Sequence, residues 1–271
     1  MTKINEIKFE IQTFTKRLKS MLKVDFRRMF TIRLFYIMLG ISFIIPILIL
    51  VMTTMMDGTT TVNPQTGVET TIEGFKNVWQ IIGSVSNENS QMTMDLTTMC
   101  NINMMYFVLA VLVCIFVSDD FRSGYSKNLF TIRSSKKDYV ISKSLVCFVS
   151  GAFMIVSFFI GSMLGGAISG LPFDMGSAGT NGIFMCMISK ILLVAVFVPI
   201  FLVMSVIGKQ KLWLSLICSL GASMLLFTMV PMITPLDSSI INVILCLAGG
   251  VMFSIGIGAI SNSILRKSSL I

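Results

Sequence analysis

Apolar residues in this chain gather in six long runs separated by polar stretches: Leu34 to Met56, about Met99 to Ser118, Tyr139 to Ser169, Gly182 to Ile207, Leu212 to Val230 and Ile240 to Ser261. A helix needs about 20 apolar residues to cross the hydrocarbon core of a bilayer. Backbone groups there must be satisfied within the segment, so each run predicts a membrane-spanning helix. The runs are too continuous for the alternating pattern of a barrel strand. The expected fold is all-α, a polytopic membrane protein whose six transmembrane helices occupy residues 34–271 after a separate N-terminal segment, residues 1–33.

Within that first segment Ile4, Ile7, Ile11, Phe14, Leu18 and Leu22 recur at three- and four-residue steps, with Lys3, Lys8, Lys16, Arg17, Lys19 and Lys23 mostly off the stripe. This spacing predicts an amphipathic helix. Its basic face and Ile/Phe/Leu face suit the interface of a lipid bilayer, and the alternative is packing on the protein's own loops. The one long polar insertion, residues 57–98, opens with turn-prone sequence (Asp57-Gly58, Asn63-Pro64), after which Ile72, Phe75, Trp79 and Ile82 align at helical spacing. They predict either a short helix lying flat with Phe75 and Trp79 as interfacial anchors, or a small cap over the bundle.

Composition sharpens this picture. Of 271 residues 54% are hydrophobic and 13% charged, with a mean hydropathy of +0.86, which excludes an ordinary soluble domain. Nineteen of the 21 Lys and Arg fall before the first run, in the segment from Asp119 to Lys143, between the fourth and fifth runs, or after the sixth. The positive-inside rule places those segments, and both termini, in the cytoplasm. The opposite loops carry seven acids and only Lys76 as a cation. The net charge of +8 therefore encodes topology, and with no basic patch interleaved with aromatics no nucleic-acid partner is expected. No cleavable leader is expected before the first run.

Histidine is absent, which removes His-based triads and metal sites, and the six cysteines form no CxxC pair. Neither a catalytic residue nor a metal site is expected. Gly161 with Gly165, and Ser254 with Gly258, have the small-xxx-small spacing that lets helices approach closely, within this chain or against a second subunit. Lys190 is the cation placed inside an apolar run. It either snorkels to the outer interface or faces a transport pathway.

The densest polar segment, 119–138, follows the second run. Phe121, Tyr125, Leu129 and Ile132 make a helical stripe across it, suited to docking in a groove on another protein or to lying in the interface. Its Asp120, Gly124, Lys127-Asn128 and Arg133-Ser134, with Tyr139 leading to Lys143, resemble the loop between the second and third spans of type-2 ATP-binding-cassette (ABC) exporter permeases. This chain has Gly124-Tyr125 where Gly-Thr is usual, and Arg-Ser in place of Ser-Arg. The layout of amphipathic helix and six spans is similar as well.

The resemblance implies a half-transporter of the bacterial cell membrane that pairs with a second permease subunit, the same or related, and with ATP-binding-cassette ATPase subunits. ATP and magnesium would bind the partner ATPase and not this chain, which has no G-x-x-x-x-G-K-[ST] motif. A helix over about Asp120 to Thr131 would be the coupling helix, with Phe121, Tyr125 and Leu129 filling the ATPase groove and Asp120, Arg122 and Lys127 at its rim. The expected function is export of an amphipathic substrate such as a peptide, lipid-like molecule or drug. Small permeases of this kind often serve antimicrobial-peptide export or immunity. The alternative is a membrane sensor or assembly protein that binds a ligand or partner through its outer loop.

Overall fold

The computed structural model describes residues 14–62, 69–71, 74–83, 100–132, 136–175, 179–227 and 229–267. It is helical except for a short antiparallel hairpin of β1 (Thr60–Val62) and β2 (Glu69–Thr71), with Thr61 opposite Thr70. In chain order the helices are α1 (Phe14–Thr31), α2 (Arg33–Met56), α3 (Met105–Arg122), α4 (Tyr125–Ile132), α5 (Lys136–Ser169), α6 (Gly179–Gly208), α7 (Leu212–Phe227), α8 (Val230–Ile233) and α9 (Ile240–Lys267). Five are long and apolar enough to cross a membrane: α2, α3 with the 3-10 turn that leads into it, α5, α6 and α9. The fifth predicted span is the shorter α7, whose 16 residues rise about 24 Å, less than a hydrocarbon core of about 30 Å.

Two helix pairs dominate the packing, α2 with α5 and α6 with α9, and α3 sits between them against α6 and α7. Small residues set the closest approaches. A Cβ on Gly161 would collide with the Phe43 carbonyl oxygen and lie 2.9 Å from Pro46 Cγ, and one on Gly165 would lie 2.8 Å from Ile47 Cα. The Gly161/Gly165 pair thus serves contact within this chain, between α5 and α2. Ser254 donates to the Ala195 carbonyl at 3.2 Å, fixing α9 on α6, and Gly258 faces Val140 of α5.

At 34 residues α5 is the longest helix, about 50 Å, so one end projects past the hydrocarbon core. That end carries Lys136, Asp138, Tyr139, Ser142 and Lys143, and α1 lies across it. The last turn of α9 reaches the same place, where Lys136 Nζ donates to the Leu265 carbonyl at 2.5 Å. Ile32, in extended conformation, breaks α1 from α2. The corner is fastened by an edge contact of Phe30 on Phe35, with centroids 5.2 Å apart, and by Tyr36 Oη donating to the Phe30 carbonyl.

Three expectations change. The inward face of α1 is Met21, Asp25 and Met29, whereas Phe14 is 48% exposed and Leu18 half-buried; Ile4, Ile7 and Ile11 lie outside the described residues. The amphipathic segment after the second run is two helices and not one, because Gly124, at φ +73, turns the chain between α3 and α4. Only Gly adopts that left-handed backbone without strain. Finally, Phe75 and Trp79 are not interfacial anchors. Both are buried with Val78, Ile81 and Ile82, and a single 3-10 turn, Val78–Ile81, replaces the expected helix. This is the cap arrangement.

Substituting Gly161 by Val is expected to cost about 1–3 kcal/mol by overpacking and to lower the unfolding temperature of the detergent-solubilised protein. Gly256→Val is the control, because a Cβ there meets nothing within 4 Å. It should leave that temperature unchanged.

Candidate functional site

Four charged side chains meet where α1, the end of α3 and the projecting end of α5 converge. Lys143 Nζ lies 3.0 Å from Asp25 Oδ1 and 2.8 Å from Asp120 Oδ2, and Arg28 holds the other oxygen of Asp120 at 2.7 Å. Lys143, Asp25 and Asp120 are each 0% exposed. Two cations answer two carboxylates, so the cluster is neutral.

The remaining valences are filled by neutral groups. Tyr139 Oη donates to Asp120 Oδ2 at 2.9 Å, and Ser142 Oγ to Asp25 Oδ2 at 2.6 Å. The Phe116 ring faces Lys143 Nζ at 3.9 Å and the Tyr125 ring faces the Arg28 guanidinium at 4.2 Å, distances at which a ring quadrupole stabilises a cation. Burial works against the charge on Arg28, but Asp120 and the other neighbouring groups outweigh it and raise its pKa above the ordinary value. Burial pushes the Tyr125 phenol up as well. A second ion pair, Arg17 Nε to Asp138 Oδ2 at 3.2 Å, fixes α1 on α5 two turns of α1 away.

The local sequence explains the convergence. Asp25 sits on α1 midway between Met21 and Met29 at four-residue spacing, so an acid occupies the helix's inward stripe. Asp120 lies in the last turn of α3, four residues before the Gly124 turn, which folds α4 back so that Tyr125 meets Arg28. Tyr139, hydrogen-bonded to Asp120 but 19 residues on in sequence, is enclosed by Phe121 (centroids 6.4 Å) and Phe130 (5.4 Å).

Of the residues expected to dock a partner, Asp120 is inside the cluster and Phe121 is only 6% exposed. Neither offers a rim or a groove-filling face, because each already has a partner within the fold. Tyr125 and Leu129 are half-buried, Gly124 makes the turn, and Arg122 and Lys127 are exposed together with Ser123, Asn128 and Thr131. The face left to solvent beside α4 is therefore polar and basic. Sequence reasoning missed Asp25, Arg28, Ser142 and Phe116. The signal for Asp25 was present, an acid on the apolar stripe of a basic helix.

Lys190 is elsewhere, toward the other end of the bundle. It is 0% exposed, so it does not snorkel. Its ammonium donates to Asn103 Oδ1 and Thr234 Oγ1, both at 2.9 Å, and to the Thr234 carbonyl at 3.4 Å. Tyr106 Oη donates to the Lys190 carbonyl at 3.0 Å. Lys190 thus joins α6 to the start of α3 and to the link between α8 and α9. Among the described residues no carboxylate pairs with it.

A family model described as an ABC-2 family transporter protein matches residues 22–225, a stretch that contains Asp25, Arg28, Asp120, Tyr139 and Lys143. No curated protein and no solved structure matches the chain.

Replacing Lys143 by Met leaves Asp25 without its cation in a site closed to water. Removing one partner of a buried pair costs about 3–5 kcal/mol, so the variant is expected to unfold well below the parent protein's temperature. Lys137→Met, exposed and six residues earlier on the same helix, should change it by less than about 0.5 kcal/mol. Equal effects in the two variants would contradict the buried pairing.

Proposed function

Because the chain belongs to the ABC-2 transporter family, the membrane permease component of an ABC exporter, we propose that the Asp25–Lys143–Asp120–Arg28 cluster is the joint through which a partner ATPase moves its helices. The observation that carries this reading is the position of Asp120: it lies just before α4 and is held at once from α1 and α5. A displacement of α4 that carries the adjoining end of α3 with it cannot leave α1 and α5 where they are without separating charges that have no water to turn to.

In this reading the charged end is cytoplasmic, as are both termini, and α7 with α8 completes a sixth crossing. ATP and magnesium sit on the ATPase. The permease pairs with a second permease subunit, and substrate passes between them as the outer ends part. An amphipathic substrate suits a path flanked by lipid. The ATPase meets the exposed Arg122, Lys127, Asn128 and Thr131, with Tyr125 and Leu129 behind them as the apolar floor. Phe121 supports this surface from within.

The test is co-purification of the tagged permease with the ATP-binding-cassette ATPase encoded beside it. Arg122→Glu combined with Lys127→Glu is expected to weaken the association about tenfold or more, and the wild-type association to fall as salt rises. Association that is indifferent to both would overturn the assignment of the docking face. Failure to recover any ATPase would overturn the reading as a whole.

A further inference from the structure

The end of the bundle opposite the charged cluster is closed by a segment that the coupling reading does not use. Residues 74–83 enter between three parts of the fold. A Cβ on Gly74 would lie 2.7 Å from the Thr53 carbonyl oxygen of α2, one on Gly166 of α5 would collide with Val78, and one on Gly83 would lie 2.8 Å from the backbone of Leu236, in the link between α8 and α9.

Polar contacts complete the seating. Asp57 Oδ1, at the end of α2, accepts from the Gly74 amide at 2.8 Å. Val78 N donates to the Pro172 carbonyl at 3.3 Å, Trp79 Nε1 to the Phe173 carbonyl at 3.2 Å, and the Asn77 side chain to the Asp174 carbonyl. The Trp79 ring lies between Phe159 and Phe173, with centroids 6.0 and 6.1 Å away. Val78, Ile81 and Ile82 are fully buried.

We propose that residues 74–83 are a clasp: they tie the α2–α5 pair to the α8–α9 link, and their release is what allows these helix ends to separate. The link is a suitable anchor because Lys190 fixes it independently to α3 and α6 through Thr234 and Asn103. The seat is apolar and without a buried charge. Release exposes apolar side chains and breaks a few hydrogen bonds, but unlike movement at the other end it parts no buried ion pair. The proposal rests on the exporter reading only for its assignment of this end as the outer one.

Val78→Cys with Gly166→Cys tests it directly. The first substitution removes the γ-carbons that a Gly166 side chain would strike, and the two Cβ positions lie 3.1 Å apart, close to the 3.5–4.5 Å of a disulfide. In the full chain freed of its native cysteines and placed in lipid nanodiscs, oxidation is expected to slow hydrogen exchange at residues 50–56 and 234–239 about tenfold relative to the reduced protein. Equal exchange in the two states would overturn the clasp. In the native sequence, Val78→Ser with Ile82→Ser should quicken exchange at those two segments about tenfold and leave residues 22–30 unchanged. Acceleration spread evenly along the chain, or none, would show that the segment is ordinary packing and would overturn the proposal. Co-purification with the ATPase, measured on the same proteins, reports separately on the exporter reading.

Discussion

An ammonium group removed from water has to be neutralised where it sits, and most of this fold's charged end follows from that requirement at Lys143. Its position on α5 leaves it 0% exposed, so carboxylates must come to it from other elements. Asp120 brings the end of α3, and Asp25 brings α1. Asp120 then carries more negative charge than one shared cation answers, and Arg28 from α1 supplies the balance. Once Arg28 is placed, its outer face is covered by Tyr125, which the turn at Gly124 delivers. An exposed amphipathic helix, a short loop helix and two spans become one mechanical unit because the alternative is an unpaired charge.

The two ends of the bundle are held by different physics. At the charged end, ion pairs resist relative movement strongly, and they transmit displacement for the same reason. At the other end, the clasp of residues 74–83 depends on close apolar contact at Gly74, Gly166 and Gly83, with Lys190 holding the link nearby by neutral acceptors. Between them, the Gly161/Gly165 contact keeps α5 on α2 over their length. An ion-paired joint at one end and an apolar closure that holds no buried ion pair at the other is the arrangement expected of a device driven from the first and opening at the second.

Much of this was legible in the sequence, for identifiable reasons. Hydropathy located five long apolar helices because hydrocarbon demands them, whereas the fifth predicted run, Leu212 to Val230, holds the shorter α7 and the start of α8. Asp120, Gly124 and Lys143 mark out the polar segment after the second run, but its stripe does not face outward as expected: Phe121 and Asp120 have partners within the fold that lie far along the chain or on another helix. Periodicity alone cannot tell a stripe that faces a partner protein from one that faces home. The same ambiguity leaves Trp79 open between an interfacial anchor and a cap until its indole is seen against Phe159 and Phe173, 80 and 94 residues away. Lys190 reads as either interface or pathway in the sequence because its acceptors, Asn103 and Thr234, are 87 and 44 residues away along the chain.

The account stands on the cluster acting as a joint and not merely as a local bond. The measurement closest to that claim is a double-mutant cycle on Asp25→Asn and Asp120→Asn, with ATPase association measured on all four proteins. Neither carboxylate reaches the surface, so in variants that remain folded, as their unfolding temperatures report, a loss of association passes through the joint. The account predicts that each single change weakens association and that the double change costs much less than the sum, a coupling of about 1–3 kcal/mol. Additive losses, or association untouched by Asp25→Asn, would contradict it.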